Sequence, residues 1–150
     1  MLLRAIGICV LGFFSTLSAS AANAVPSCAI VGDSIALGIS MQIPACRHNA
    51  KVGIASDAVI ARVDASVEVT VVSAGSNDPS NPRLRDNLKR IRKRAKRVIW
   101  VLPVNAKARA AVTAVAAAHG DPVVSFAPAG DHVHPQSYAA LARTVSAALP

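Results

Sequence analysis

A regular alternation of short apolar runs with segments of helical periodicity is the feature that most constrains this chain. Four runs rich in apolar and branched residues are predicted strands: Ala29–Val31, Val67–Val72, Val98–Val104 and Val123–Phe126. Four segments have helical patterns: Ser56–Val63, Pro82–Lys96, Lys107–Ala118 and Pro135–Leu149. The last of these starts at a proline, which suits a first helical turn. Apolar strands that alternate with helices are typical of a parallel sheet covered on both faces, so the sequence predicts an α/β domain.

The first residues of the chain have the pattern of a secretory signal peptide. Arg4 precedes an apolar run, Ala5–Phe14, of about ten residues, which is too short to span a bilayer. Small residues follow, and both Ala22–Ala24 and Ala19–Ala21 match the usual cleavage pattern. We therefore expect cleavage after Ala24 or Ala21 and a secreted or periplasmic protein. A retained N-terminal anchor is the alternative.

Removal of residues 1–24 leaves residues 25–150, a length that suits one domain with one core. No later apolar stretch is long enough for a transmembrane helix, and we expect a monomer. Cys9 is lost with the signal peptide, while Cys28 and Cys46 remain. An even pair of cysteines in an oxidising compartment predicts a disulfide, and two buried thiols are the alternative.

Positive charge is concentrated in one predicted helix. The chain has sixteen Lys and Arg against eight Asp and Glu, and the segment Arg83–Arg97 holds nine of the basic residues with one acid. Apolar residues recur at helical spacing within it: Leu84, Leu88, Ile91 and Ala95. This amphipathic helix is either a solvated face or a surface that contacts an anionic partner, such as acidic polymer, lipid head groups or nucleic acid.

Polar clusters follow three of the predicted strands where each strand ends. They are Gly32–Ser34 ("GDS"), Gly75–Asp78 ("GSND") and Gly130–Pro135 ("GDHVHP"). In open parallel sheets the carboxyl ends of the strands share one edge, which is where ligands bind. We therefore expect the three clusters to face a single site.

These clusters supply the residue types of nucleophilic catalysis. A serine such as Ser34 needs a base that takes its proton, and the base needs an orienting carboxylate. Only His132 and His134 stand beside an acid at a strand end, and Asp131 lies three residues before His134. His134 is the expected base, with His132 as the alternative. The plainer interpretation of Ser34 is a helix N-cap.

An acyl-transfer site also needs hydrogen-bond donors for an oxyanion. Asn77 offers a side-chain amide, Gly53 an unobstructed backbone N–H, and Ser34 the N–H at a helix start. Asp33 and Asp78 are expected to brace their turns.

Together these blocks resemble the SGNH, or GDSL-type, serine hydrolases. The four residues that name the family match Ser34 in "GDSIALG", Gly53 in "KVGIAS", Asn77 in "GSND" and His134 in "DHVH". The resemblance covers nearly all of residues 25–150 in the family's order. Ile35 departs from it, since Leu often follows the serine there. The chain is also short for the family, which suggests an open site without a lid.

The resemblance implies a three-layer flavodoxin-like fold with a central parallel sheet of about five strands. It also implies esterase chemistry in which Ser34 attacks an ester, His134 takes its proton and Asp131 orients His134. Ser34, Gly53 and Asn77 would then hold the oxyanion, and no metal or cofactor is needed.

The function predicted from sequence is therefore a serine ester hydrolase that acts on small acyl esters, either small molecules or groups borne on a polymer. One alternative is a non-catalytic or weakly catalytic module that binds an anionic envelope polymer through Arg83–Arg97. Another is an O-acyltransferase of the same fold, which shares the Ser34 intermediate but passes the acyl group to a sugar.

Overall fold

A computed structural model describes residues 27–150 of the protein, so the predicted signal peptide lies outside the described residues. The strands are β1 (Cys28–Gly32), β2 (Arg47–Ala50), β3 (Val69–Ser73), β4 (Arg97–Val101) and β5 (Val123–Val124). The helices are α1 (Ser34–Ser40), α2 (Ser56–Ile60), α3 (Leu84–Arg94), α4 (Ala106–His119) and α5 (Tyr138–Ala148). The predicted alternation of strands and helices is confirmed.

All five strands pair in parallel, in the order β2-β1-β3-β4-β5. The chain leaves β1 towards β2 on one side and later returns to build β3 on the other side. The order of the strands therefore reverses between β1 and β3, and in open parallel sheets the carboxyl edge at such a reversal is where ligands bind. This edge is where the three polar clusters of the sequence lie.

Two apolar cores cover the two faces of the sheet. One core joins the sheet to α2, α3 and α4, and the other joins it to α1 and α5. Successive residues of β1 alternate between the cores: Ala29 and Val31 face the first, while Cys28 and Ile30 face the second. The result is the three-layer α/β architecture that the sequence predicted. Within residues 27–150 no helix is both long and apolar enough to cross a membrane.

The edge strand β2 was missed by the apolar pattern. Its residues Arg47–Ala50 ("RHNA") are polar and mostly exposed, because an edge strand pairs on one side only and lies at the margin of both cores. The pattern of apolar residues in the sequence therefore does not reveal such a strand.

The last helix starts later than the sequence suggested. The predicted start at Pro135 is wrong, because Pro135 instead pairs with Pro128 in an isolated antiparallel bridge. The helix begins at Tyr138, and the Ser137 side chain caps it by accepting a hydrogen bond from the Ala140 N–H. The residues before it belong to the loop that carries His134.

The predicted pairing of Cys28 with Cys46 is confirmed: the two form a disulfide. Cys28 begins β1, and Cys46 directly precedes β2. The bridge therefore fastens the exposed edge strand to the centre of the sheet.

We expect the double variant Cys28→Ser/Cys46→Ser to lose about 3 kcal/mol of unfolding free energy, because the bridge closes a loop of 18 residues in the unfolded chain. Urea-induced unfolding measures the loss. Wild-type protein unfolded with a reductant is the matched control and should behave like the variant. An unchanged urea midpoint would show that the bridge adds nothing.

Candidate active site

The turn after β1 is shaped by Gly32. Its φ is +139°, and a Cβ at this position would lie 1.9 Å from the backbone oxygen of Ser73 on β3. A side chain is therefore excluded here, because the neighbouring strand occupies its space. The glycine lets the chain leave the sheet at once and enter α1, where Ser34 is the first helical residue.

Asp33 braces this turn, as the sequence predicted. Its Oδ1 accepts hydrogen bonds from the Ile35 N–H at 3.0 Å and from the Ser73 hydroxyl at 2.8 Å. The cap of α1 is thus Asp33, and the interpretation of Ser34 as an N-cap is wrong. The serine hydroxyl is left free to face the rim.

The Asp33 carboxyl is almost fully buried, with 1 % of its residue surface exposed. Its Oδ2 has no hydrogen-bond partner among residues 27–150, and neither does the nearby Ser76 hydroxyl. Burial raises the pKa of Asp33, and the hydrogen bonds from Ser73 and Ile35 offset part of that rise.

Ser34, His134 and Asp131 form one chain of hydrogen bonds. The Ser34 Oγ lies 2.9 Å from the His134 Nε2, and the His134 Nδ1 lies 2.5 Å from the Asp131 Oδ2. The structure therefore brings His134 against Ser34, and the alternative that His132 takes this place is wrong. Side-chain exposure is 38 % for His134 and 51 % for Asp131, so the triad is open to solvent.

The loop that carries the triad's histidine folds around Asp131. The Asp131 Oδ1 accepts hydrogen bonds from the backbone N–H groups of Val133 and His134, both at 2.9 Å. His132 adopts a positive φ of 57°, which turns the chain so that His134 comes back over the carboxylate. The hydrogen bond from the His134 side chain, helped by the two backbone N–H groups, holds the pKa of Asp131 well below its ordinary value. The carboxylate is therefore ionised across the physiological range.

The three predicted oxyanion donors come from adjoining segments. Ser34 is the first residue of α1, where a backbone N–H has no acceptor within the helix. The loop with Gly53 is anchored beside β1, because the Lys51 N–H donates to the Gly32 carbonyl at 2.9 Å. Gly53 itself is exposed and has a φ of +75°.

Asn77 ties this glycine loop to the loop that follows β3. Its side-chain Nδ2 donates to the Ile54 carbonyl at 2.9 Å, one residue beyond Gly53. An amide nitrogen has two hydrogens, so a second N–H of Asn77 remains for another acceptor. Both loops therefore lie at the carboxyl edge of the sheet and are joined there by the Asn77 side chain.

A buried polar network supports the Asn77 loop. Asp78 accepts hydrogen bonds from the Ser56 hydroxyl at 2.6 Å and from Asn81 at 2.8 Å, and the buried Asn87 donates to the same Ser56 hydroxyl at 2.9 Å. Asp78 is thus a scaffold residue, as predicted. Ser56 and Asn87 were not assigned to the site from the sequence. The polar Asn87 on the apolar side of the predicted basic helix could have indicated a buried polar contact.

Tyr138 is another residue that the sequence reasoning did not assign to the site. Its ring packs against Gly38 of α1, where a Cβ would come within 2.1 Å of the ring Cε1. Burial raises the pKa of Tyr138, and the negative charges of Asp33 and Asp131 raise it further. The tyrosine joins α5 to α1 close to the triad.

A depression of about 330 Å³ adjoins the triad loop. Its lining residues come from three rim loops: Ser76, Pro79, Val104, Asn105, His132 and Val133. Asn105 also caps α4 by accepting from the Lys107 and Ala108 N–H groups. In residues 27–150 no three His, Cys, Asp or Glu side chains come together in the manner of a metal site.

The class of fold is now defined: a three-layer α/β domain in which serine, histidine and aspartate side chains meet at the carboxyl edge of a five-stranded parallel sheet. Among solved structures, the C-terminal catalytic domain of Streptococcus pneumoniae peptidoglycan O-acetyltransferase A (OatA), determined with a methylsulfonyl adduct, has a similar fold. The TM-score is 0.58 at 19% identity, over 83% of this chain and 93% of that chain. The predicted fold is confirmed. No family model matches the chain, and no curated protein is significantly similar to it in sequence.

We predict that Asp33→Asn becomes more stable relative to wild type as pH rises. A carboxyl whose folded pKa lies above its ordinary value of 3.8 stabilises the fold only while protonated. That contribution is complete below the unfolded pKa and is lost as pH rises through the folded pKa. Asparagine keeps the Oδ1 acceptor and never ionises. Urea unfolding of both proteins between about pH 4 and about pH 7 measures the difference. If the wild type instead becomes more stable relative to the variant over this range, the hydrogen bonds lower the pKa of Asp33 by more than burial raises it.

Proposed function

We propose that this protein is a secreted or periplasmic serine ester hydrolase that removes small acyl groups through an acyl-enzyme on Ser34. The observation that carries the proposal is the continuous hydrogen-bonded line from the Ser34 hydroxyl through His134 to Asp131, with contacts of 2.9 and 2.5 Å. These distances are within the reach that proton transfer between a nucleophile and its base requires.

In the proposed reaction the Ser34 Oγ attacks the ester carbonyl carbon while its proton passes to the His134 Nε2. The ionised Asp131 accepts a hydrogen bond from the His134 Nδ1–H, which fixes the tautomer and stabilises the imidazolium that forms. The tetrahedral intermediate then collapses, and the departing alkoxide takes the proton from His134. Water attacks the acyl-enzyme by the same steps in reverse, releasing the acid and restoring Ser34.

The oxyanion of each tetrahedral intermediate is proposed to bind the N–H groups of Ser34 and Gly53 and the amide of Asn77. The hydrogen bond between Asn77 and the Ile54 carbonyl supports this, because it holds the amide beside the glycine loop before substrate arrives. Donors fixed in advance stabilise developing charge without reorganisation.

Small acyl groups suit the site because the depression beside the loop that carries His134 holds only about 330 Å³ and is bounded by rim loops. A long acyl chain needs a deep apolar cavity that covers most of its surface. Because the triad is exposed, an ester whose alcohol part is a bulky polymer can approach it. The Cys28–Cys46 disulfide supports a location outside the reducing cytosol.

We expect Ser34→Ala to abolish labelling by a fluorophosphonate probe and to lower the rate on p-nitrophenyl acetate by at least about 10⁴-fold, because the variant has no nucleophile. Gel fluorescence measures the labelling, and the absorbance of released p-nitrophenol measures the rate. The matched control is Ser80→Ala, which removes an exposed rim hydroxyl and should change neither. An intact wild type that is neither labelled nor active on short esters would favour the non-catalytic polymer-binding module instead.

The oxyanion assignment predicts that Asn77→Ala lowers kcat by about 10²- to 10³-fold with little change in KM, because the donor acts only in the transition state. Asn77→Asp has a similar shape but no N–H and should lose as much. Thermal unfolding of both variants separates this effect from a displaced Gly53 loop. Full kcat in either variant, with folding intact, would remove Asn77 from the proposed oxyanion hole.

A second candidate is acyl transfer to a saccharide hydroxyl in place of water. The neighbour with a similar fold, the catalytic domain of a peptidoglycan O-acetyltransferase, favours it. Both reactions pass through the same Ser34 acyl-enzyme and differ only in the acceptor. The ratio of free acid to acylated saccharide among the products, measured with saccharide present, separates the two.

A further inference from the structure

The outer side of α3 carries an unbalanced group of cations. Five exposed basic residues form what we call the basic face: Arg85, Lys89, Arg90, Lys93 and Arg94. Asp86 is the one acid of this helix, and it lies 3.7 Å from the Lys89 Nζ. In the described part of the chain, Arg90, Lys93 and Arg94 take part in no ion pair.

The spacing of these cations is unfavourable for the isolated helix. Lys93 and Arg94 lie three and four residues after Arg90, so their like charges are neighbours on the helix surface. The helix dipole favours cations in the last turn, which accounts for Lys93 and Arg94 in part. It does not account for Arg90, which lies further from the helix end. An external anion would relieve the repulsion among all three.

A concave site lies where these cations converge. Ile60 at the end of α2 and the side chains of Arg90, Lys93 and Arg94 line a depression of about 380 Å³. Guanidinium groups bind carboxylate and phosphate oxygens through paired hydrogen bonds, and an ammonium adds a mobile point charge. The depression is therefore suited to oxyanion groups.

The basic face also begins at the catalytic edge of the sheet. The Leu84 N–H, at the start of α3, donates to the carbonyl of Asn81, which follows the Asn77 loop. Arg90 lies about 9 Å further along the helix at 1.5 Å per residue. A bound chain of a few sugar units would reach from this depression to the rim.

We propose that the basic face binds the anionic groups of the polymer that carries the ester, so that the substrate class is an acylated anionic polysaccharide. This inference rests on the proposed function, since it assigns the substrate of the same site. The face increases the local concentration of polymer-borne esters at Ser34 and leaves the chemistry of the triad unchanged.

A polysaccharide fits this face better than a membrane or a single-stranded nucleic acid. Membrane-surface helices insert exposed apolar residues, whereas the large apolar residues of α3, Leu84, Leu88 and Ile91, are buried. Single strands are held by stacking on aromatic side chains, and the large exposed hydrophobic residues of the described chain are Met41, Val52, Val123 and Val133, none of them aromatic.

The kinetic test compares O-acetylated polygalacturonate with O-acetylated dextran of equal acetyl content, with p-nitrophenyl acetate as a small ester. In Arg90→Glu/Lys93→Glu we expect KM for the anionic polymer to rise by about tenfold, with the other two substrates unaffected. Added salt should shrink the difference between variant and wild type. The matched control, Lys107→Glu/Arg143→Glu, removes the same charge elsewhere and should leave KM within about twofold. Equal effects of the two variants, or an unchanged KM, would overturn the proposal.

A binding test keeps this inference separate from the catalytic one. The Ser34→Ala protein should be retained on immobilised polygalacturonate at low salt, and adding the Arg90→Glu/Lys93→Glu pair should release it. Retention that depends on the basic face, together with a wild-type protein that hydrolyses none of the three esters, would overturn the proposed hydrolase and leave the face standing. Absence of retention, or stronger binding to anionic lipid vesicles or to DNA than to polygalacturonate, would overturn the polysaccharide.

Discussion

The close pairing of β1 with β3 is the constraint on which the rest of the structure depends. Gly32 meets the backbone of Ser73 with no room for a side chain, and the Ser73 hydroxyl bonds the Asp33 carboxyl. One contact therefore fixes the strand pairing, the exit of the chain from β1 and the cap of the helix that begins with Ser34. The position of Ser34 follows from the geometry of two strands that are buried along their whole length.

The partners of the serine come from loops that are held by different means. His134 is positioned by a compact turn around Asp131, which binds two backbone N–H groups and the imidazole. The glycine loop is held by the pairing of β2 and by the amide of Asn77. A buried strand end thus positions Ser34, while polar contacts at the surface position His134 and the proposed oxyanion donors.

The sequence predicted those parts of the structure that strong local signals determine. Buried strands are largely apolar, and "GDS", "GSND" and "DHVHP" follow strands, so the central sheet and the grouping of Ser34 with His134 were foreseeable. The edge strand at Arg47–Ala50 was not, because half-exposed strands lack an apolar pattern. The start of α5 was misplaced because a proline suits the first turn of a helix. Pro135 instead pairs with Pro128, and this pairing depends on the tertiary fold and not on local sequence. Ser56 and Asn87 were missed for a similar reason: Ser56 bonds Asp78 and Asn87, which lie 22 and 31 residues away along the chain.

The exposure of the triad has a consequence for the proposed acyl-enzyme on Ser34. The His134 and Asp131 side chains are 38 % and 51 % exposed, so water reaches them wherever the rim is bare. In the proposed reaction, the choice between water and a hydroxyl as acceptor would then depend on what covers the rim. A polymer lying across the site would act as its own lid and would itself limit the access of water.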